Sequence, residues 1–378
     1  MDKSNYRICT KTVMDNIADP DIRFDEDGVC NYYHLFKEKL KTRVPPPGKA
    51  QRQLEKIIAG IKKTGRENQY DCVVGVSGGV DSTYVAWLAK EWGLRPLAVH
   101  VDNGWNSELA VRNIEVTLKK LDIDLYTEVL DWPAFSDLQR SFLKASTPDA
   151  DIPSDHIIWA AVFRTANKFN IQHILSGMNF RTEGMLPPSW SRGYLDWKYI
   201  KAVQKQFSTK KINRLPHYKV SDMLYYVLVK RIKVIGVLNY IDFRKDTATG
   251  LLTERLDYRP YYGKHHESIY TRFFQSYLLP QKFGIDKRKA HLSCMIMGSN
   301  EITRQQALEL LQQPIAPPSQ IEDDILYIKK KLNISDSEMA SIMTSPVKTI
   351  FDYPNNHTWE LKLRKLINKM RRGKLVAN

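Results

Sequence analysis

A short apolar run that leads into a glycine-rich turn constrains the fold of this chain most. Asp71-Cys72-Val73-Val74-Gly75-Val76 is followed directly by Ser77-Gly78-Gly79-Val80-Asp81-Ser82, and a helical pattern over about 82–92 comes next. Such an apolar run predicts a strand buried on both faces, as in a parallel sheet. Two adjacent glycines let the backbone turn tightly and approach an anion, because no Cβ stands in the way. The sequence therefore predicts a phosphate-binding loop between a strand and the N-terminus of a helix.

The alternation of strands and helices continues beyond this unit. Further strands are predicted at 96–101, 125–129 and 173–175, with helices at about 107–121 and 155–169. This pattern is typical of an α/β fold with a doubly wound parallel sheet, which binds ligands at the carboxyl ends of its strands. After about residue 185, helices are predicted near 219–238, 266–278, 303–312, 320–332 and 336–343.

Three parts are predicted along the chain. Pro45-Pro46-Pro47-Gly48 forms a stiff break, and a helical pattern with Leu54 and Ile61 follows it. We therefore predict a small N-terminal module over 1–48, a nucleotide-binding domain over 49–200, and a mainly helical region over 201–378 for the second substrate and partners.

The phosphate loop differs from the Walker type, which ends in Gly-Lys-Ser/Thr. Ser77 and Ser82 supply hydroxyl donors, and Asp81 would repel a phosphate unless Mg²⁺ bridged the two. The loop resembles the signature of the ATP-pyrophosphatase (PP-loop) superfamily, which includes GMP synthetase and asparagine synthetase. This resemblance implies an adenine nucleotide alpha hydrolase-like fold with ATP and Mg²⁺ bound, in which the loop holds the departing pyrophosphate while an oxygen attacks the α-phosphate. Asp81 and Ser82 are thus predicted to be catalytic, with Asp81 on the magnesium, and Ser77, Gly78 and Gly79 to bind ATP.

Two further polar stretches follow predicted strands and are expected in the same cleft. Asp102 and Asn103 end the second strand, an edge that lies beside the adenosine in similar enzymes. They are predicted to contact the adenosine or a metal, and the alternative is a polar strand end with a capping role. In the stretch 176–184, Gly177 is predicted to contact ATP, and Asn179 and Glu183 to contact the substrate.

Segments spread over about residues 8–312 share a more specific resemblance. They are Val13-Met14-Asp15, Asp19-Pro20-Asp21-Ile22, Phe24-Asp25-Glu26-Asp27-Gly28-Val29-Cys30-Asn31, Thr182-Glu183-Gly184, Leu186-Pro187-Pro188-Ser189-Trp190, Gly263-Lys264-His265-His266-Glu267-Ser268, Arg272-Phe273-Phe274-Gln275 and Asp286-Lys287-Arg288-Lys289-Ala290-His291-Leu292-Ser293. Together they resemble the N-acetyl sugar amidotransferase family, whose members act in bacterial surface polysaccharide (lipopolysaccharide O-antigen) or flagellar glycan assembly.

The family resemblance implies a reaction and partners. The carbonyl oxygen of a sugar N-acetyl group attacks the α-phosphate of ATP, and ammonia then displaces AMP from the imidoyl adenylate to leave an acetamidino group. Ammonia in the family comes from a glutaminase and cyclase pair that resembles the subunits of imidazole-glycerol-phosphate synthase. No glutaminase unit remains once the synthetase is assigned here. The sugar is expected to be acidic or UDP-linked.

Basic residues late in the chain are candidates to neutralise the phosphates or an acidic sugar. Lys264, Lys287 and Arg288 are predicted to be catalytic, and Trp190, His265 and Arg272 join the substrate-binding set. The alternative for each basic residue is a solvated helix face. Glu267 is expected either to orient a basic neighbour or to touch the substrate.

The N-terminal module departs from the family pattern, in which two Cys-x-x-Cys pairs have the spacing of a zinc site. Here the pairs read Cys9-Thr10-Lys11-Thr12 and Cys30-Asn31-Tyr32-Tyr33, and His34 is one residue out of place for a third ligand. We expect a degenerate zinc-ribbon-like module without zinc, in which Cys9 and Cys30 behave as small buried hydrophobes.

Composition leaves two kinds of partner open. A formal charge of +15 fits either a nucleic acid or anionic substrates together with a solvated basic tail, and we favour the second interpretation. Four widely separated cysteines, a polar N-terminus and the lack of a long apolar run predict a cytoplasmic protein with no membrane span. The rival functions are a tRNA-modifying PP-loop enzyme and a non-catalytic nucleotide-binding scaffold.

Overall fold

Five parallel strands form one sheet in the computed structural model, which describes residues 5–261, 263, 267–359 and 362. The strands are β1 (Cys72–Gly75), β2 (Pro96–Asp102), β3 (Leu125–Val129), β4 (His173–Ser176) and β5 (Lys233–Gly236). Their order is β3-β2-β1-β4-β5, and every neighbouring pair is parallel. The chain thus builds outward from β1 to one edge and then returns to add β4 and β5 on its other side. Ligands of such sheets bind where this reversal separates the loops, between β1 and β4.

Helices fill the connections and most of the C-terminal half. They are α1 (Asn31–Arg43), α2 (Pro47–Gly65), α3 (Val80–Glu91), α4 (Glu108–Leu121), α5 (Trp132–Ala145), α6 (Ile152–Lys168), α7 (Phe180–Glu183), α8 (Trp197–Phe207), α9 (Val220–Leu224), α10 (Lys245–Leu256), α11 (Ile269–Phe273), α12 (Arg288–Cys294), α13 (Arg304–Gln312), α14 (Pro318–Leu332) and α15 (Asp336–Thr344). Wider π-helical turns extend α9 over Tyr225–Val229, α11 over Phe274–Phe283 and α12 over Met295–Ser299. None of the described helices is both long and apolar enough to cross a membrane.

Apolar side chains bury both faces of the sheet. Val74 and Leu175 point to the face covered by α3, α4 and α10, whereas Val73 and Ile174 point to the face covered by α6. Successive residues of a strand point to opposite faces, so helices on both sides explain why consecutive residues in the middle of β1 and β4 are apolar. The predicted α/β fold with a doubly wound parallel sheet is confirmed.

The helix predicted near 219–238 is wrong in its second half. The helix ends at Val229, Arg231 takes a left-handed conformation with φ 56°, and Lys233–Gly236 forms β5. Val234 and Ile235 pair with Ile174 and Leu175 of β4. Short apolar runs fit strand and helix alike, and here the open edge of β4 decides the outcome.

The N-terminal segment packs against the C-terminal helices rather than standing apart. The Trp190 indole Nε1 donates to the carbonyl of Ala18 at 2.7 Å, and the Ser189 hydroxyl donates to Asp19 at 2.6 Å. Lys289 forms an ion pair with buried Asp15. These contacts join the segment to a hydrophobic core shared with α5, α8, α11 and α12. The boundaries at 48 and 200 stay predictions.

The two N-terminal cysteines lie together in this core. The Cys30 amide donates to Cys9 Sγ at 3.2 Å, and the Thr12 hydroxyl lies 3.7 Å from Cys30 Sγ. His34 points elsewhere and contacts Asp25 at 2.9 Å. Across the described residues, no group of three or more His, Cys, Asp or Glu side chains is arranged to hold a metal ion.

Candidate functional site

The loop 77–82 connects β1 to the N-terminus of α3, at the reversal point of the sheet. Gly78 has φ +81°, and a Cβ there would lie 2.6 Å from the backbone oxygen of Ala110. The Ser82 hydroxyl accepts from the Ser77 amide at 3.3 Å and donates to the Gly79 carbonyl at 3.1 Å. The loop is therefore held in shape by its own serines, and only glycine fits at position 78.

The first turn of α3 presents backbone donors to the space in front of the loop. Gly79 is the N-cap residue and has no side chain to occupy the first N–H groups of the helix. Those groups and the helix dipole favour an anion at this position. Together, loop and helix form an anion site of the kind that holds phosphates.

Two clefts meet at this loop. The first, called here the loop cleft, has a volume of about 690 Å³ and is lined by Asp81, Ser82, Glu183, Lys245 and Tyr261 among others. The second, called here the acidic cleft, has a volume of about 400 Å³ and is lined by Asp149, Asp151, Asp155, Gln275 and Lys287 among others. Ser77, Ile158, Ser176, Gly177 and Glu267 line both. A nucleotide lying across this boundary would reach both clefts.

The loop cleft has the donor set that Mg²⁺ prefers. Asp81 and Glu183 both line it, beside the phosphate loop. Gly177 lies directly opposite, because a Cβ there would be 3.0 Å from the backbone carbon of Asp81. Mg²⁺ is usually held by one or two carboxylates and by phosphate oxygens, so these side chains fit a magnesium–nucleotide complex.

The acidic cleft combines apolar walls with carboxyl groups. Asp151 accepts a hydrogen bond from the Thr271 hydroxyl at 2.8 Å, and burial raises the pKa of its carboxyl. Solvent reaches Asp155, but the surrounding protein walls and the nearby carboxylates of Asp151 and Asp149 raise its pKa to about 8. Lys287 opposes this effect. The cleft therefore holds a carboxyl group that can gain or lose a proton near neutral pH.

Most of the predicted nucleotide-binding residues come together around the loop. Ser77, Gly79, Asp81, Ser82 and Gly177 line the loop cleft, as does Glu183, which was predicted to contact the substrate. Asn103 and Lys287 line the acidic cleft.

Two other predicted residues lie at the ends of secondary-structure elements. The Asp102 carboxylate accepts from the Gly104 amide at 3.0 Å and is exposed at the end of β2. Asn179 is buried and caps α7 by accepting from the Arg181 amide at 3.0 Å. Both are outside the described linings of the two clefts.

Three of the predicted substrate or catalytic residues hold the surrounding structure together. Arg272 makes two 2.7 Å hydrogen bonds to buried Asp324. Arg288 binds Asp286 at 2.8 Å and also donates to carbonyl groups at the end of α13. Trp190 is buried against the N-terminal segment and lines a separate cavity of about 210 Å³. Lys264 and His265 lie outside the described residues.

The carboxyl groups of the acidic cleft were not predicted from the sequence. Asp149, Asp151 and Asp155 occur within seven residues around the start of α6, where Pro153 occupies the first turn. Three acids at a proline-marked helix start are the signal that points to them. Their meeting with Lys287, which is distant in the sequence, is visible only in the fold.

Comparison with known proteins gives one family match and several weak structural likenesses. A family model described as "LPS biosynthesis protein WbpG-like, C-terminal domain" matches residues 267–366. No curated protein matches the chain.

The solved structures include an NMN synthetase from Francisella tularensis, with 15% identity, a TM-score of 0.32, and coverage of 78% of this chain and 96% of that one. An NH3-dependent NAD synthetase from Campylobacter jejuni has 17% identity, a TM-score of 0.29, and coverage of 55% and 93%. A predicted tRNA methyltransferase subunit from Methanocaldococcus jannaschii has 17% identity, a TM-score of 0.28, and coverage of 48% and 76%. Likenesses at this level carry no conclusion about chemistry.

Proposed function

We propose that this protein is an ATP-dependent carbon–nitrogen ligase, an amidotransferase synthetase that forms AMP and pyrophosphate. It converts the N-acetyl group of a sugar to an acetamidino group, with ammonia supplied by a partner glutaminase, in lipopolysaccharide O-antigen assembly. The observation that carries the proposal is the phosphate loop, which lacks a Walker lysine, contains Asp81 and lies at the reversal point of a doubly wound sheet. The match of residues 267–366 to a lipopolysaccharide biosynthesis family supports the choice of substrate class.

The geometry of the loop suits cleavage between the α- and β-phosphates of ATP. The loop and the first turn of α3 hold the β- and γ-phosphates, which leave together as pyrophosphate. Asp81, with Glu183 on the same cleft, would hold Mg²⁺, which supplies positive charge to the leaving pyrophosphate. The α-phosphate then faces the boundary at Ser77 and Gly177, where the acidic cleft opens.

The second substrate and the nucleophile are assigned to the acidic cleft. The sugar amide oxygen attacks the α-phosphate, forming a P–O bond as the bond to pyrophosphate breaks, and this turns a poor leaving group into AMP. Ammonia next attacks the imidoyl carbon, AMP departs, and one ammonia proton is lost. In this proposal Lys287, which lines the cleft, stabilises the departing AMP, and Asp155, whose pKa is raised to about 8, accepts the proton.

A tRNA-modifying enzyme is the second candidate, favoured by the net charge of +15. All four cysteines are buried, which does not suit sulfur transfer through an accessible thiol. RNA carried through purification, measured as a high ratio of absorbance at 260 nm to that at 280 nm, would support this candidate. A non-catalytic scaffold would bind ATP without releasing pyrophosphate under any condition.

The test is pyrophosphate release from MgATP with ammonium chloride and a panel of N-acetylated uronic acid sugars, free and UDP-linked. Asp81→Ala is run beside the wild type, with Glu115→Gln on the exposed face of α4 as the control. We expect release that depends on one sugar, falls at least about a hundredfold in Asp81→Ala, and is unchanged in the control. Release with tRNA and with none of the sugars would overturn the sugar assignment.

A further inference from the structure

The carboxylate of Glu267 lies in the mouth of the phosphate loop. The Ser77 hydroxyl donates to Glu267 Oε1 over a long 3.5 Å. A Cβ placed on Gly79 would lie 3.2 Å from the same oxygen. Glu267 also lines both clefts, so its side chain stands at the boundary between them. An anionic group of the protein itself thus occupies space that an incoming phosphate needs.

The backbone that carries Glu267 is fixed to the loop after β2. The Ser107 amide donates to the Glu267 carbonyl at 2.9 Å, and the Ile269 amide donates to the Trp105 carbonyl at 2.9 Å. An antiparallel bridge between Asn106 and Ser268 lies between these two bonds. Because the Glu267 carbonyl and the two residues that follow it are held in this way, rotation of the side chain is enough to move the carboxylate out of the loop.

Two anions cannot share this position without a large Coulomb cost. We propose that Glu267 is an internal occupant of the phosphate loop which the pyrophosphate moiety of ATP displaces, and which returns to help expel pyrophosphate after the adenylation step. The inference rests on the proposed use of ATP at this loop. It makes Glu267 a determinant of how tightly the loop holds polyphosphates and how fast the product leaves.

Binding of inorganic pyrophosphate tests the inference directly. Calorimetry is run with pyrophosphate in EDTA and again with magnesium, on the wild type, Glu267→Gln and Glu267→Asp. Asp246→Asn is the charge control, since Asp246 lines the loop cleft and is exposed. Without metal, we expect the Kd to fall about tenfold in Glu267→Gln and less than about threefold in Asp246→Asn. Glu267→Asp keeps the charge but shortens its reach, and should give an intermediate Kd.

Four outcomes would overturn the inference. Equal gains in affinity for pyrophosphate in Glu267→Gln and Asp246→Asn would show that any loss of negative charge near the loop has this effect. Weaker magnesium–pyrophosphate binding in Glu267→Gln, with metal-free binding unchanged, would make Glu267 a metal ligand. If the wild type binds pyrophosphate and Glu267→Gln binds it no more tightly, the inference is overturned and the proposed function is unaffected. If neither protein binds pyrophosphate or ATP, both the inference and the proposed function are overturned.

A turnover measurement tests the return of Glu267 to the loop. Stronger product inhibition by pyrophosphate in Glu267→Gln than in the wild type would support this step.

Discussion

At the scale of single residues, two glycines differ in whether the surrounding structure leaves room for a side chain. Gly78 has φ +81°, and a Cβ there would press on the backbone of Ala110, which cannot move aside as a side chain can. Gly250 lies inside α10, and a Cβ there would meet nothing within 4 Å. The sequence shows both as glycine, and only the surrounding structure separates a required glycine from a replaceable one.

This contrast gives a paired prediction. Gly78→Ala should lower the free energy of unfolding by about 2 kcal/mol and abolish nucleotide binding, because both backbone strain and the Ala110 clash act at the loop. Gly250→Ala should raise that free energy by about 0.5–1 kcal/mol, because alanine favours the helix. Urea denaturation and ATP binding measure the two effects. Normal ATP binding by a folded Gly78→Ala protein would contradict the structure of the loop.

At the scale of elements, sequence patterns located the first four strands but not the fifth. Strands β1, β2 and β4 contain short apolar runs close to turn residues, so local pattern and fold agree, whereas β3 is partly exposed along its length. β5 depends on its pairing with β4, and helices α5 and α8 have no counterpart among the predicted elements. The phosphate loop was predictable because its chemistry is local, whereas the acidic cleft needs α6 and Lys287 brought together from distant parts of the chain.

The ion pair between α11 and α14 gives a prediction at this scale. The side chains of Arg272 and Asp324 are only 14% and 3% exposed, so loss of one partner leaves a buried charge. Arg272→Met should destabilise the protein by about 3–5 kcal/mol, and Arg272→Met with Asp324→Leu should recover most of that loss. Chemical denaturation of the four proteins in a double-mutant cycle measures the coupling. Independent, additive effects would show that the pair does not join the two helices.

At the scale of the whole molecule, the proposed reaction divides work between this protein and an ammonia source. A glutaminase of the cysteine type needs an accessible thiol, and all four cysteines here are buried. With MgATP and the sugar, the purified protein should therefore form AMP when ammonium chloride is the nitrogen source and not when glutamine is. The rate of AMP formation with ammonium chloride should rise with pH, because a larger fraction is present as ammonia. AMP release measured with each nitrogen source checks this. Equal rates with both would place a glutaminase activity within this chain.

The docking of the N-terminal segment has a consequence for synthesis on the ribosome. The Val13 amide donates to the Ser293 hydroxyl at 3.2 Å, and Arg304 donates to the carbonyl of Thr12 at 2.9 Å. These two partners emerge almost 300 residues after the segment itself, so the part around Cys9 to Val13 lacks these contacts until most of the chain has been translated. Nascent chains halted before residue 286 should therefore expose Cys9 and Cys30 to alkylating reagents, and the finished protein should protect them.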